Sequence, residues 1–205
     1  MHPRLLAAVL LATAAAIAVA GVALAPRGEG DAGGGRAGFE GALRPPGIPP
    51  ADFALRDQDG EQITLADVRG EVAVVTFLYS TCEDTCPLVA QQIRGALDQL
   101  GREVPVLAFS VDPASDTRRS AQAFLTEQRL TGDWHFLLGE PAELRPVWEA
   151  YGVQPQVVRE GGPDLEHSIS VVLVDRQGRQ RIGFPYDQLT PEGLAADIAR
   201  LARGA

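Results

Sequence analysis

The chain has 205 residues, a formal net charge of −9 and a hydrophobic fraction of 45%. It holds two Cys and three His, and all 18 of its basic residues are Arg. Two cysteines exclude a multi-bridge disulfide scaffold and a four-thiolate zinc site, the absence of Lys excludes Schiff-base and P-loop lysine chemistry, and the acidic balance argues against nucleic acid as a partner.

From Leu5 to Ala25 the chain is uncharged and rich in Ala, Leu and Val. That is close to the roughly 20 helical residues that cross a bilayer core. Arg4 precedes the run, while Arg27, Glu29 and Asp31 follow it, a balance that keeps the short N-terminus cytoplasmic. Two readings compete. One is an uncleaved anchor. The other is a cleaved signal, for which Ala23-Leu24-Ala25 and Ala18-Val19-Ala20 offer small-residue boxes, although Pro26 would follow a cut after the first. No Cys follows the run, so a lipoprotein signal is excluded. Residues 1–26 are therefore expected to be a membrane anchor or signal segment. Either reading exports the rest, and an anchored domain on the periplasmic or extracytoplasmic side of the cytoplasmic membrane is expected. Residues 27–50, with Gly33-Gly34-Gly35 and then Pro45-Pro46-Gly47-Ile48-Pro49-Pro50, read as a flexible tether that stiffens at its end. The folded domain is expected over 51–205.

Within that domain, Phe53–Leu55 and Gln62–Thr64 flank Asp57-Gln58-Asp59-Gly60, a hairpin signature. Val72–Tyr79 is a nearly continuous β-branched and aromatic run, suited to a strand buried on both faces. A helix is expected from about Pro87 to Leu100, with Leu88, Ile93, Leu97 and Leu100 on one side. Val104–Val111 is a second buried strand. Asp116 is expected to cap a helix running through Gln128. Trp134–Leu138 reads as a short strand and Pro141–Tyr151 as a helix. Ile169–Val174 is a third strong strand, which turns at Asp175–Gly178 and returns over Gln180–Phe184. Thr190 caps a last helix with Pro191 at its first position. Alternating strands and helices predict an α/β fold, a mixed sheet covered on both faces.

Both cysteines lie in Ser80-Thr81-Cys82-Glu83-Asp84-Thr85-Cys86-Pro87, after a buried strand and at the start of a helix. Sites in such sheets gather beyond the carboxyl ends of the strands. Residues four apart on a helical turn share a face, so the two sulfurs can close a disulfide or hold one metal ion. A bridge over so short a loop constrains the unfolded chain little, which favours a functional dithiol over a structural one. Redox catalysis prefers Cys-x-x-Cys with one low-pKa thiolate; this pair has one more intervening residue. Helix-start amides favour thiolates, whereas Glu83 and Asp84 oppose them. That balance suits a site completed by a cation, and two thiolates favour monovalent copper. Among candidates for a third ligand, His2 lies on the wrong side of the apolar run. His135 is expected at the polar edge of the sheet. His167 lies in a loop directly before a strand, and spacing alone leaves it open as ligand or solvated residue. Asp112 ends the second strand before Pro113, and reads equally as a residue that orients a ligand from behind or as a turn former. Trp134 and Trp148 are expected in the core; Tyr79 and Phe184 are candidates to line the site, with packing the better reading for Phe184.

The chain resembles the Sco (SenC) family of thioredoxin-fold copper proteins over residues 50–203. The matching motifs are Tyr79–Pro87 with its Cys-x-x-x-Cys-Pro, Ser110-Val111-Asp112-Pro113-Ala114-Ser115-Asp116-Thr117, Gly132–Gly139 and Glu166-His167-Ser168-Ile169. Glu83 departs from the family's frequent Pro. The resemblance implies a thioredoxin-like mixed sheet with an N-terminal hairpin extension. It implies a copper site of Cys82, Cys86 and His167, open to Cu(I) and Cu(II). It also implies copper delivery to the binuclear centre of cytochrome c oxidase subunit II, with a copper donor chaperone or a thiol reductant upstream. No conventional enzyme is expected, although Cys82 and Cys86 would equally serve a thiol–disulfide reductase.

Overall fold

The computed structural model describes residues 38–154 and 170–204. The expected membrane or signal segment and His167 lie outside those residues. Among the described residues no helix is long and apolar enough to cross a membrane.

The chain runs β1 (Ala42–Leu43), β2 (Ala54–Arg56), β3 (Gln62–Thr64), β4 (Ala73–Leu78), α1 (Thr85–Leu100), β5 (Val106–Ser110), α2 (Arg118–Glu127), β6 (Trp134–Leu137), α3 (Pro141–Tyr151), β7 (Ser170–Val174), β8 (Gln180–Pro185), a short 3-10 turn (Tyr186–Gln188) and α4 (Pro191–Ala202). Six strands form one sheet in the order β1-β8-β7-β4-β5-β6. β4, β5 and β6 are parallel, joined by crossovers through α1 and α2. β7 runs antiparallel to β4 and to β8, so the sheet is mixed, as expected.

Every residue of β4 and β5 is buried, because alternate side chains feed two separate cores. On one face Val74, Ala108, Phe136 and Leu173 meet Ile93 of α1, Phe124 of α2 and Ile198 of α4. On the other, Val75, Phe77, Phe109 and Val172 meet Leu144 and Trp148 of α3 and Leu55 and Ile63 of the hairpin. Phe77 and Phe109 face each other across the β4–β5 pair with ring centroids 5.8 Å apart. The hairpin β2–β3 forms its own two-stranded sheet. Its turn closes on the Asp57 carboxylate, which accepts the Asp59 and Glu61 amides at 2.9 and 3.0 Å, and Gly60 takes φ +86°, a conformation that L side chains rarely adopt.

Two expectations need correction. Ordered structure begins before Ala51: Phe39 is buried in the core, and β1 pairs with β8. Asp197 of α4 fastens this stretch by accepting the Glu40 and Gly41 amides. A Gly- and Pro-rich composition hid two strand residues and one anchoring aromatic. The second correction concerns α2. Its cap is Thr117, whose hydroxyl accepts the Ser120 amide at 3.1 Å, and not Asp116, which points elsewhere.

Candidate metal centre

β4 delivers the chain to the carboxyl end of the sheet at Leu78, and α1 begins at Thr85. The intervening turn folds back on itself, with the Cys82 amide bonded to the Tyr79 carbonyl at 3.3 Å. Asp84 stands at the N-cap but makes no side-chain cap bond. The Cys82 sulfur takes that role and accepts the Cys86 amide at 3.2 Å. Pro87 fits the first turn, where its missing N–H would have no intrahelical partner. Both thiols are free and buried, Cys86 completely.

Donors converge on Cys82. The Cys86 thiol is the strongest influence and draws the Cys82 thiol down to about 5; burial opposes it, and the Cys86 amide, the Tyr79 phenol and the Asp84 amide reinforce it. Cys86 moves the other way. Its proton is held in the bond to Cys82, burial disfavours its charge, and the nearby Asp116 carboxylate adds repulsion, against a single helping amide from Tyr79. Within the pair, negative charge is thus favoured on Cys82, which accepts the Cys86 amide, over the more deeply buried Cys86. Glu83 and Asp84 are exposed, and the hydrogen-bond donors outweigh the opposition expected of their charges.

Tyr79 touches both sulfurs, through its phenol at Cys82 and its amide at Cys86. Behind it lies a network centred on Asp116, the residue expected to cap a helix. Asp116 Oδ1 accepts the Ser80 amide at 2.7 Å and the Ser80 hydroxyl at 2.6 Å, and Asp116 Oδ2 accepts the Ser110 hydroxyl. Ser120 Oγ lies 2.8 Å from Ser80 Oγ. Burial pushes the Asp116 carboxyl upward, only partly offset by these donors. The sequence did hold a signal for this network: hydroxyl residues, Ser80 and Ser110, stand just beyond or at the ends of two apolar strands.

Asp112 is buried at the same end of the sheet. Its carbonyl accepts the Ser115 and Asp116 amides at 3.1 and 2.9 Å, so the turn-forming role is realised. Its charge also contributes to raising Asp116. His135 is engaged away from the sulfurs: Nδ1 lies 3.0 Å from Asp57 and Nε2 2.9 Å from Asp133, pinning the hairpin to β6. Phe184 is packed into the core, as are Trp134 and Trp148. β7 enters the sheet at the dithiol end, since Val171 is paired with Thr76 near the end of β4. Among the described residues no group of three or more His, Cys, Asp or Glu is arranged to hold a metal ion.

The SCO1/SenC family model matches residues 45–203. The SCO1 protein homolog of Bacillus subtilis is 32% identical over 159 residues, covering 72% of this chain and 82% of that protein. Protein SenC of Rhodobacter capsulatus is 30% identical, covering 93% and 88%. The structure of Bradyrhizobium japonicum ScoI with copper bound matches with a TM-score of 0.64 at 30% identity, over 74% of this chain and 98% of that one. With a thioredoxin-like mixed sheet and a Cys-x-x-x-Cys-Pro turn at its carboxyl end, this chain belongs to the SCO1/SenC family.

Proposed function

We propose that this protein is a copper metallochaperone. It carries one copper ion on the Cys82 and Cys86 sulfurs and the His167 imidazole and delivers it to the binuclear centre of cytochrome c oxidase subunit II. The observation that carries this reading is the meeting of two free, buried sulfurs at the start of α1, one of them already favoured as thiolate. Two thiolates suit a soft cation of low coordination number, and a relative solved with copper bound supports copper as that cation. The entry of β7 at the same end of the sheet favours His167, three residues before Ser170, as the third ligand.

Copper is the cargo here. Its arrival displaces the protons held by the Cys82 and Cys86 sulfurs, and a three-coordinate ion leaves one side open. An acceptor thiol attaches there before a donor sulfur departs. A neutral His167 imidazole extends the site's tolerance to Cu(II). Asp112, buried at the same end of the sheet, would orient a ligand from behind. Residues 1–26 anchor the domain at the cytoplasmic membrane, on its extracytoplasmic side, within reach of a membrane-bound oxidase. Copper titration of the reduced protein tests the reading. One ion per chain, lost in the Cys82→Ser, Cys86→Ser double variant and much weakened in His167→Ala, is expected; equal binding by the double variant contradicts it.

A second reading, a thiol–disulfide reductase that keeps partner cysteines reduced, is favoured by the thiolate–thiol asymmetry of the pair. In that reaction the Cys82 thiolate attacks a partner disulfide and Cys86 resolves the mixed disulfide. Two electrons pass to the partner as the Cys82–Cys86 bond forms. This activity does not need His167, so full exchange activity in His167→Ala, together with no loss of function in assembly, would favour it.

A further inference from the structure

We propose that Asp116 is a positioning residue for the dithiol: through Ser80 it fixes the turn that places both sulfurs, and through Ser110 it ties that turn to the end of β5. The inference rests on the copper reading for its consequence, though not for its geometry.

The path from carboxylate to sulfur is short and continuous. One oxygen of Asp116 holds both polar groups of Ser80 that precede the turn, the amide at 2.7 Å and the hydroxyl at 2.6 Å. Ser80 follows Tyr79 directly, and Tyr79 meets both sulfurs, Cys82 with its phenol and Cys86 with its amide. Fixing the Ser80 amide therefore fixes the 79–80 peptide plane, whose Tyr79 carbonyl accepts the Cys82 amide at 3.3 Å, directly beyond the Tyr79 amide that donates to Cys86. The other carboxylate oxygen takes the Ser110 hydroxyl, and the Ser110 carbonyl accepts the Trp148 indole N–H at 2.9 Å. The anchor thus reaches α3 on the far face of the sheet.

Helix capping does not account for Asp116, because Thr117 and Ser120 already form a complete capping box. Nor does an ion pair, since the partners found are hydroxyls and an amide. Burying a carboxylate among neutral donors is costly, and rigid placement of a soft-metal turn is what this arrangement supplies. Groups that orient ligands from behind change metal affinity by about 10–100-fold when lost.

The test compares Asp116→Ala, Asp116→Asn and Ser80→Ala with Asp175→Ala in the reduced full-length protein. Asp175 is a buried carboxylate at the opposite end of the sheet. The first readout needs no copper: amide hydrogen exchange at Tyr79 and Cys86. Exchange about tenfold or more faster in Asp116→Ala, partly restored in Asp116→Asn and untouched in Asp175→Ala, is expected. The second is Cu(I) affinity by competition with a chromophoric chelator. It is expected to fall about 10–100-fold in Asp116→Ala and less in Asp116→Asn. Native exchange rates at Tyr79 and Cys86 in Asp116→Ala overturn the proposal, and so does copper affinity within about twofold of wild type. Equal effects from Asp175→Ala reduce Asp116 to general stability and overturn it too. If Asp116→Ala does not fold, Ser80→Ala gives the same two readouts with the carboxylate retained. If the wild type binds no copper, the chaperone reading fails and the exchange result alone decides the positioning role.

Discussion

The two ends of the central sheet each bury a carboxylate, and they satisfy it differently. At the end away from the dithiol, Asp175 closes the β7–β8 turn by accepting the Gln177 and Arg179 amides at 3.0 Å each. Arg179 and Arg181 sit beside it at 2.8 and 3.1 Å. Burial pushes its carboxyl up, but the Arg179 side chain and amide, then Arg181 and Gln177, prevail and hold it below the usual range. At the dithiol end Asp116 has hydroxyls and an amide, and burial prevails. Among the described residues, no arginine pairs with Asp112, Asp116, Glu83 or Asp84. One end is neutralised from within the chain. Among the described residues the other gathers carboxylates around two sulfurs with no arginine paired to them, which suits the proposed copper site.

The largest effect separating the two ends should come from the sulfurs. Replacing Cys82 or Cys86 by Ser is expected to abolish specific copper binding, read by equilibrium dialysis, while the melting temperature stays close to wild type. A core substitution should do the reverse. Phe77→Ala empties the stack on Phe109 and is expected to cost about 3–5 kcal/mol in chemical denaturation, with the copper stoichiometry of the folded fraction unchanged.

Next in size is Asp175→Ala, expected to cost about 1–3 kcal/mol at pH 7 because two part-buried amide bonds and the arginine pairs lose their acceptor. Its pH dependence has a definite sign. The native carboxyl titrates below the unfolded one, so the unfolded chain binds the proton first. The stability it gives is complete above the unfolded value, near 3.8, and is lost as pH falls through the lowered native value. Urea midpoints of wild type and variant should therefore converge as pH drops from 7 toward 3; a gap that widens would contradict the ion-pair account. The smallest effect is at the cap: Thr117→Ala should cost about 1 kcal/mol, without changing copper affinity. A loss of copper affinity there would mean that the cap and Asp116 act as one unit.

Most of the fold was legible in the sequence because the sheet's interior is simple. The apolar runs at Val72–Tyr79, Val104–Val111 and Ile169–Val174 correspond to β4, β5 and β7, and the Asp-Gly turn marked the β2–β3 hairpin. The dithiol was legible for a similar reason, since both sulfurs lie within one turn of chain. What escaped depends on contacts distant in sequence. Phe39 and β1 are ordered by β8 and Asp197, far along the chain, and nothing local in a Gly-rich stretch announces them. Asp116 carries the local signature of a helix cap, and only the arrival of Ser80 from the turn after β4, 36 residues away, gives it a different task. His135 is likewise defined by Asp57, 78 residues upstream, which binds its ring at the sheet edge.

The central claim is that one copper ion sits on two sulfurs and one imidazole. X-ray absorption of the protein loaded with one equivalent of Cu(I) tests it most directly. The account predicts two sulfur scatterers and one nitrogen scatterer, with the nitrogen lost in His167→Ala and the sulfurs lost in Cys82→Ser, Cys86→Ser. A first shell of oxygen and nitrogen alone, or one unaltered by removal of the cysteines, would contradict it.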